Sequence, residues 1–176
     1  MADLIPPGPD LDRLFRDCRF TAWRLETRRA YGVAEEDRPY REWLAGRDPG
    51  IGWFVPWLEL VRAETAKGKR MERVRLVDDP PSDYLRWELW GTPYNLAAGE
   101  DIRYLPRGHP VVRELPAEDF WLFDSAAVAR LRFDGDRFAG AELLRGAEEV
   151  VRAARARDAA WHHALPYTRY LSTLIR

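Results

Sequence analysis

The sequence predicts an α/β domain in which a mixed β-sheet is flanked by helices. Three observations lead there. Helix and strand patterns alternate from residue 56 to residue 105, the layout of crossover units. Asp134-Gly135-Asp136 then separates two apolar runs, a hairpin signal that adds antiparallel pairing. Between them, Asp119 and Asp124 bracket Phe120-Trp121-Leu122-Phe123. Trp121 and Phe123 fall on one face of a strand and Phe120 and Leu122 on the other, and a strand apolar on both faces belongs inside a covered sheet. Its acidic ends lie where a core strand emerges, the place where α/β folds put their sites.

The elements follow in order. Residues 1–9 carry three prolines and read as a flexible lead, leaving residues 10–176 as one domain. Leu11, Leu14, Phe15 and Cys18 recur at helical spacing behind Asp10 as N-cap. From Phe20 to Thr27 the pattern alternates, with Trp23 and Leu25 on one face and Arg24 and Glu26 on the other, which predicts a half-buried strand. Residues 35–45 read as a helix with Tyr40, Trp43 and Leu44 on its apolar stripe, ended by Gly46. Pro49, Gly50 and Gly52 mark a loop, and Pro56 opens a helix that runs to about Lys67.

Met71 to Val77 reads as a strand, and Ser82 as the N-cap of a helix carrying Tyr84, Leu85, Glu88 and Leu89. Gly91 and Pro93 predict a kink or a second short helix from Pro93 to Ala98. A short strand over Ile102 to Leu105, a loop over 106–118, the Asp119–Asp124 strand and the hairpin strands Val128 to Phe133 and Phe138 to Leu143 come next. A helix from Ala147 to about Leu165 and a last turn holding Tyr170, Leu171 and Leu174 complete the chain.

Composition narrows the function classes. With 176 residues, 46% of them apolar and 32% charged, the chain has enough apolar surface to build a core. The formal net charge of −1 argues against direct nucleic-acid binding, which usually leaves a basic footprint. Apolar runs are too short to span a membrane, and Met1 to Asp10 has no signal-peptide pattern. A lone Cys18 permits no internal disulfide, which fits a reducing cytoplasm, and reads as a buried thiol. Of 28 basic residues only Lys67 and Lys69 are lysines, so 26 are arginine, a bias that base composition alone can produce. The eight tryptophans invite a nucleobase-stacking role, but most lie at apolar-stripe positions and read as core.

Three clusters are candidates for a site. Arg73 and Arg75 project to one face of their strand and either keep an edge strand soluble or grip an anion by forked hydrogen bonds. In Tyr84-Leu85-Arg86-Trp87-Glu88, Tyr84 and Glu88 share a helix face, and a buried Glu88 needs a partner such as Arg73, Arg75 or Arg103. Ala98 to Arg103 reads as a helix-to-strand connection around Gly99. The candidate ligand-binding set is Arg73, Arg75, Tyr84, Arg86, Glu88, Arg103, Asp119, Trp121 and Asp124.

Familiar catalytic and cofactor patterns do not assemble. His162 and His163 are neighbours on a helix and point about 100° apart, so that helix cannot offer both to one metal, and His109 lies in a proline-flanked loop. There is no zinc spacing, no dinucleotide fingerprint, no phosphate loop and no nucleophile elbow. No catalytic residue, metal site or cofactor is therefore assigned.

Lys69–Val77, Asp83–Glu88, Ala98–Arg103 and Asp119–Asp124, with Trp23–Glu26, resemble an actinobacterial family of uncharacterised proteins over almost the whole chain. That resemblance implies a gene often placed near helix-turn-helix regulators of the XRE type. More distantly, the order helix, strand, helix, strand and hairpin is similar to the phospholipase D-like fold, whose motif is His-x-Lys, four residues and Asp. With Asp124 in the aspartate place, Asp119 stands at the lysine and Ala117 at the histidine. The resemblance thus implies a relative without the nucleophile and with a negative charge where phosphate would be steadied.

The expectation is a non-catalytic, cytoplasmic regulatory domain that binds a small anionic ligand or a protein partner, in particular a helix-turn-helix regulator. The alternatives are a metal-dependent phosphodiester or nucleotide hydrolase and a toxin-antitoxin component.

Overall fold

The computed structural model describes residues 4–175. In chain order its elements are β1 (Leu4–Ile5), α1 (Pro9–Asp17), β2 (Thr21–Glu26), α2 (Asp37–Leu44), α3 (Val55–Thr65), β3 (Arg70–Val77), α4 (Asp83–Ala98) and β4 (Glu100–Pro106). A 3₁₀ turn (Pro110–Glu114), β5 (Phe120–Phe123), β6 (Ala127–Asp134), β7 (Arg137–Leu144), α5 (Ala147–His163), β8 (Leu165–Pro166) and α6 (Tyr167–Leu174) follow.

The eight strands of the described residues form one mixed sheet in the order β1-β7-β6-β5-β2-β3-β4-β8. The strands β2, β3 and β4 are parallel, joined by helices, whereas β5, β6 and β7 make an antiparallel meander that docks on β2. The mixed sheet with flanking helices is thus the predicted one.

Each face of the sheet buries its own apolar cluster. On one face Met71, Trp121, Phe123 and Leu131 pack with Phe15 of α1 and with Leu58 and Val61 of α3. On the other, Trp23, Leu25, Val74, Leu105, Phe120 and Leu122 pack with Ala153, Ala156 and Ala160 of α5. Small alanines let that helix approach the sheet closely. The strand β5 is buried at all four positions, as its two apolar faces predict.

Several expectations change. Arg73 and Arg75 are not on an edge: β3 lies between β2 and β4, and both side chains are buried. The strand around Trp23 is not half-buried either, because Glu26 is 2% exposed on the supposedly solvent face. Pro93 does not split α4, which runs unbroken from Asp83 to Ala98. Proline has no N–H to donate to the carbonyl four residues earlier. That carbonyl, Leu89 O, accepts instead from Tyr167 Oη at 3.3 Å.

Part of the lead is ordered against the sheet. Leu4 and Ile5 pair with Glu142 and Ala141 of β7, and Gly140, with φ 139°, leaves no room for a side chain against the Ile5 carbonyl. Met1–Asp3, the start of the predicted lead, lie outside the described residues. The predicted loop 106–118 contains the 3₁₀ turn. The last long helix stops at His163, so that Leu165 and Pro166 extend the sheet beside β4.

Candidate functional site

The site grows from a repeated sequence spacing. On β2, Arg24 and Glu26 share one face, and on β3 so do Arg73 and Arg75. Parallel pairing sets Arg24 beside Arg73 and Glu26 beside Arg75. Glu100, at the start of β4, adds a carboxylate to the same surface. Arg73 donates through Nη1 to Glu26 Oε1 at 2.6 Å and through Nε to Glu100 Oε1 at 2.9 Å. Arg75 Nε reaches Glu26 Oε2 at 2.5 Å, and its Nη2 lies 3.3 Å from Glu88 Oε1. Arg24 bridges Glu26 at 3.3 Å and Asp119 at 3.4 Å.

A buried charge survives only when paired and hydrogen-bonded, and most groups here are. Glu100 also accepts from Asn95 Nδ2 at 2.7 Å and Trp57 Nε1 at 3.3 Å. Asp119 accepts from the Thr27 amide at 2.8 Å, from the Thr27 hydroxyl at 2.6 Å and from Tyr31 Oη at 2.6 Å.

The carboxylates then divide by environment. Burial alone would raise the Glu26 carboxyl, but Arg73, Arg75 and Arg24 outweigh it and hold it well below the usual carboxylate range. Burial pushes Glu88 up to about 8, because Arg75, shared with Glu26, only partly offsets it. Burial also raises Glu36, against hydrogen bonds from Tyr84 Oη at 3.1 Å and Trp87 Nε1 at 3.4 Å.

Above this charged floor lies a cavity of about 550 Å³. The floor is Arg24, Glu26, Arg73, Arg75 and Trp121. Helix α4 forms one wall with Tyr84, Trp87, Glu88, Trp90 and Asn95, while the segment leading into α3 contributes Trp53 and Phe54 and α3 itself contributes Trp57. Tyr31 and Glu36 close the side between β2 and α2. The rings are layered: Trp53 stacks on Trp87 at 5.4 Å between centroids, and Trp87 on Trp90 at 4.8 Å with planes 9° apart. Among the described residues, neither a histidine nor a cysteine lines the cavity, and no group of acidic, histidine or cysteine side chains is placed to hold a metal ion.

Of the nine sequence candidates, Arg73, Arg75, Tyr84, Glu88 and Trp121 surround the cavity. Asp119 stands one layer behind and orients Arg24 and Tyr31. The other three are elsewhere. Arg86 points outward, 59% exposed, beside Asp83. Arg103 projects from the opposite face of β4, with its guanidinium 3.7 Å from the centroid of the Trp161 ring.

Asp124 sits at the wrong end of β5. Because β5 runs antiparallel to β2, its amino end lies beside the carboxyl ends of the parallel strands. Asp124 instead accepts the amides of Arg19 at 2.6 Å and of Phe20 and Thr21 at 2.8 Å each, a turn-fixing role. Burial opposes its charge, but these three amides hold it below the ordinary value. The residues that sequence reasoning missed are Arg24, Glu26, Tyr31, Glu36 and Glu100. The legible signal was the matched spacing of Arg24-x-Glu26 and Arg73-x-Arg75 on strands that pair.

The sheet order and flanking helices define a mixed α/β domain, and the comparison with solved structures shows that its fold is phospholipase D-like. Among solved structures, it is similar to Nuc, a phospholipase D family member from Salmonella typhimurium, with a TM-score of 0.56 over 95% of this chain and 97% of that one. The two share 8% sequence identity, so the likeness is one of fold. The chain belongs to the family described as a domain of unknown function, DUF6879, whose model matches residues 9–172. No curated protein matches the sequence.

Proposed function

We propose that the protein is a non-catalytic, cytoplasmic regulatory domain that binds a small molecule in this cavity and acts with a helix-turn-helix transcription regulator. The observation that carries the reading is the cavity itself. Its volume falls in the range of ligand sites, and it combines aromatic walls with a few fixed polar groups. Arg73 and Arg75, the basis for expecting an anion, already oppose carboxylates, so the ligand is small and bears at most one negative charge.

The chemistry of the surrounding groups supports binding over turnover. The position that the fold resemblance assigns to a nucleophilic histidine is Ala117, whose carbonyl accepts from Thr27 Oγ1 at 2.9 Å. The lysine position is Asp119, engaged in the network. Cys18 is no substitute nucleophile, because burial pushes its thiol up to about 11. The regulator partner rests on the resemblance to an actinobacterial family encoded near XRE-type regulators.

The test is to identify any helix-turn-helix protein encoded beside the chain and to co-express the two. The two are expected to co-purify as a complex, and the isolated chain to leave bis(p-nitrophenyl) phosphate intact with or without divalent metal. Metal-dependent hydrolysis lost in Glu88→Gln would favour the hydrolase alternative. Failure to associate with the neighbouring regulator would remove the regulatory partner.

A further inference from the structure

Two residues lining the cavity, Arg75 and Arg24, each carry a buried hydrogen-bond donor that is not used. Arg75 donates through Nε to Glu26 and its Nη2 lies 3.3 Å from Glu88 Oε1, yet among the described residues its Nη1 is buried with no partner. The side chain is 7% exposed and lines the cavity. Arg24 lines it too, and its Nε is also buried and unpartnered. Buried donors are normally satisfied, so unsatisfied ones beside a cavity ask for an acceptor from outside. Glu88 lies next to Arg75 on the cavity wall, and Arg75 is its ion-pair partner among the described residues. A donor and a carboxyl group thus stand side by side.

Two further observations limit what fits. The floor has little charge to spare, because Arg24, Arg73 and Arg75 face Glu26, Glu100 and Asp119. A phosphate dianion would find no uncompensated cation there. The wall is a pile of rings, Phe54 on Trp53 on Trp87 on Trp90, whose faces cover one another and whose edges meet a flat occupant in edge-to-face contact.

We infer that the cavity takes a neutral, planar heteroaromatic cyclic amide of the oxopurine type, its carbonyl accepting from Arg75 Nη1 and its adjacent N–H meeting Glu88. The inference rests on the small-molecule reading above and names the ligand class of the same site. Each half of the amide edge matches one of the two neighbouring groups, and the ring lies along the tryptophan stack.

The test uses the full chain and three probes in isothermal titration: hypoxanthine, 1-methylhypoxanthine, which lacks the N–H beside the carbonyl, and inorganic phosphate. Hypoxanthine is expected to bind at least about tenfold more tightly than its methylated form, the loss expected when one buried polar contact is unmade. Glu88→Ala is expected to erase that preference by weakening hypoxanthine alone. Equal affinity for the two purines, or no binding of hypoxanthine at millimolar concentration, overturns the inference. Binding of phosphate without hypoxanthine also overturns it, while leaving the small-ligand reading standing.

Discussion

At the scale of single residues, the decisive contest is between Glu26 and Glu88 for the guanidinium of Arg75. Glu26 wins because Arg73 and Arg24 reinforce its charge, and Glu88 is left with burial as its dominant influence. A folded-state value of about 8 against an ordinary 4.5 means that the folded protein holds a proton which the unfolded chain releases. The stability this contributes is present in full below about pH 4.5 and is lost as pH rises through about 8. Urea unfolding between pH 5.5 and 7.5 is therefore expected to show stability falling with pH, with Glu88 contributing up to about 1.4 kcal/mol per pH unit. Glu88→Gln cannot ionise and should show a visibly flatter slope, with Glu36 and Glu72, which burial also raises, leaving a residual one. Identical slopes in the two proteins would contradict the assignment. Glu26 is depressed, so its contribution holds across this window and is lost only as pH falls below it. At this scale the sequence was half legible. Glu88 was expected to need an arginine and has one, but Arg24 and Glu26 looked like a solvent face because alternation marks polarity without telling buried charge from exposed charge.

At the scale of elements, helix α4 shows how a local rule is overridden by a distant residue. Proline inside a helix leaves a carbonyl orphaned, and the cost falls when another donor takes it. Tyr167, 78 positions further on, supplies that donor to Leu89 O. Tyr167→Phe is expected to destabilise the protein by about 0.5–1.5 kcal/mol, the usual worth of such a bond. In a Pro93→Ala background the restored amide reaches Leu89 itself, and the same substitution should cost close to nothing. Additive effects in this double-mutant cycle would sink the explanation. The second short helix expected after Gly91 and Pro93 followed sound local reasoning and lacked only the tertiary partner. Strand direction was the other gap. Asp119 and Asp124 were both legible as ends of a core strand, but periodicity cannot say which end meets the carboxyl ends of β2 and β3. Antiparallel pairing of β5 gives that place to Asp119 and leaves Asp124 to hold the turn before β2.

At the scale of the whole molecule, the sheet separates two kinds of interior. One face is sealed by the alanine-rich α5 over an apolar cluster. The other carries the ion-paired floor, and helices bridged by aromatic rings leave the cavity above it. The class of fold was legible from helix–strand alternation, the hairpin signal and the doubly apolar β5. The two edge strands were not, because Leu4–Ile5 and Leu165–Pro166 are two residues long each and carry no periodicity to read. No helix among the described residues is long and apolar enough to cross a membrane.

The central claim is that this cavity is a binding site, and tryptophan fluorescence reads it directly because Trp53, Trp87 and Trp90 line it. Gly91, on the α4 wall, accepts a side chain without backbone strain, since a Cβ there would meet Phe54 at 3.8 Å, and leucine would grow into the cavity while improving helix propensity. Titration with the low-molecular-weight fraction of a bacterial extract is expected to change the fluorescence of the natural chain saturably and to leave Gly91→Leu unchanged. The same response in both proteins, or none in either, would contradict the account.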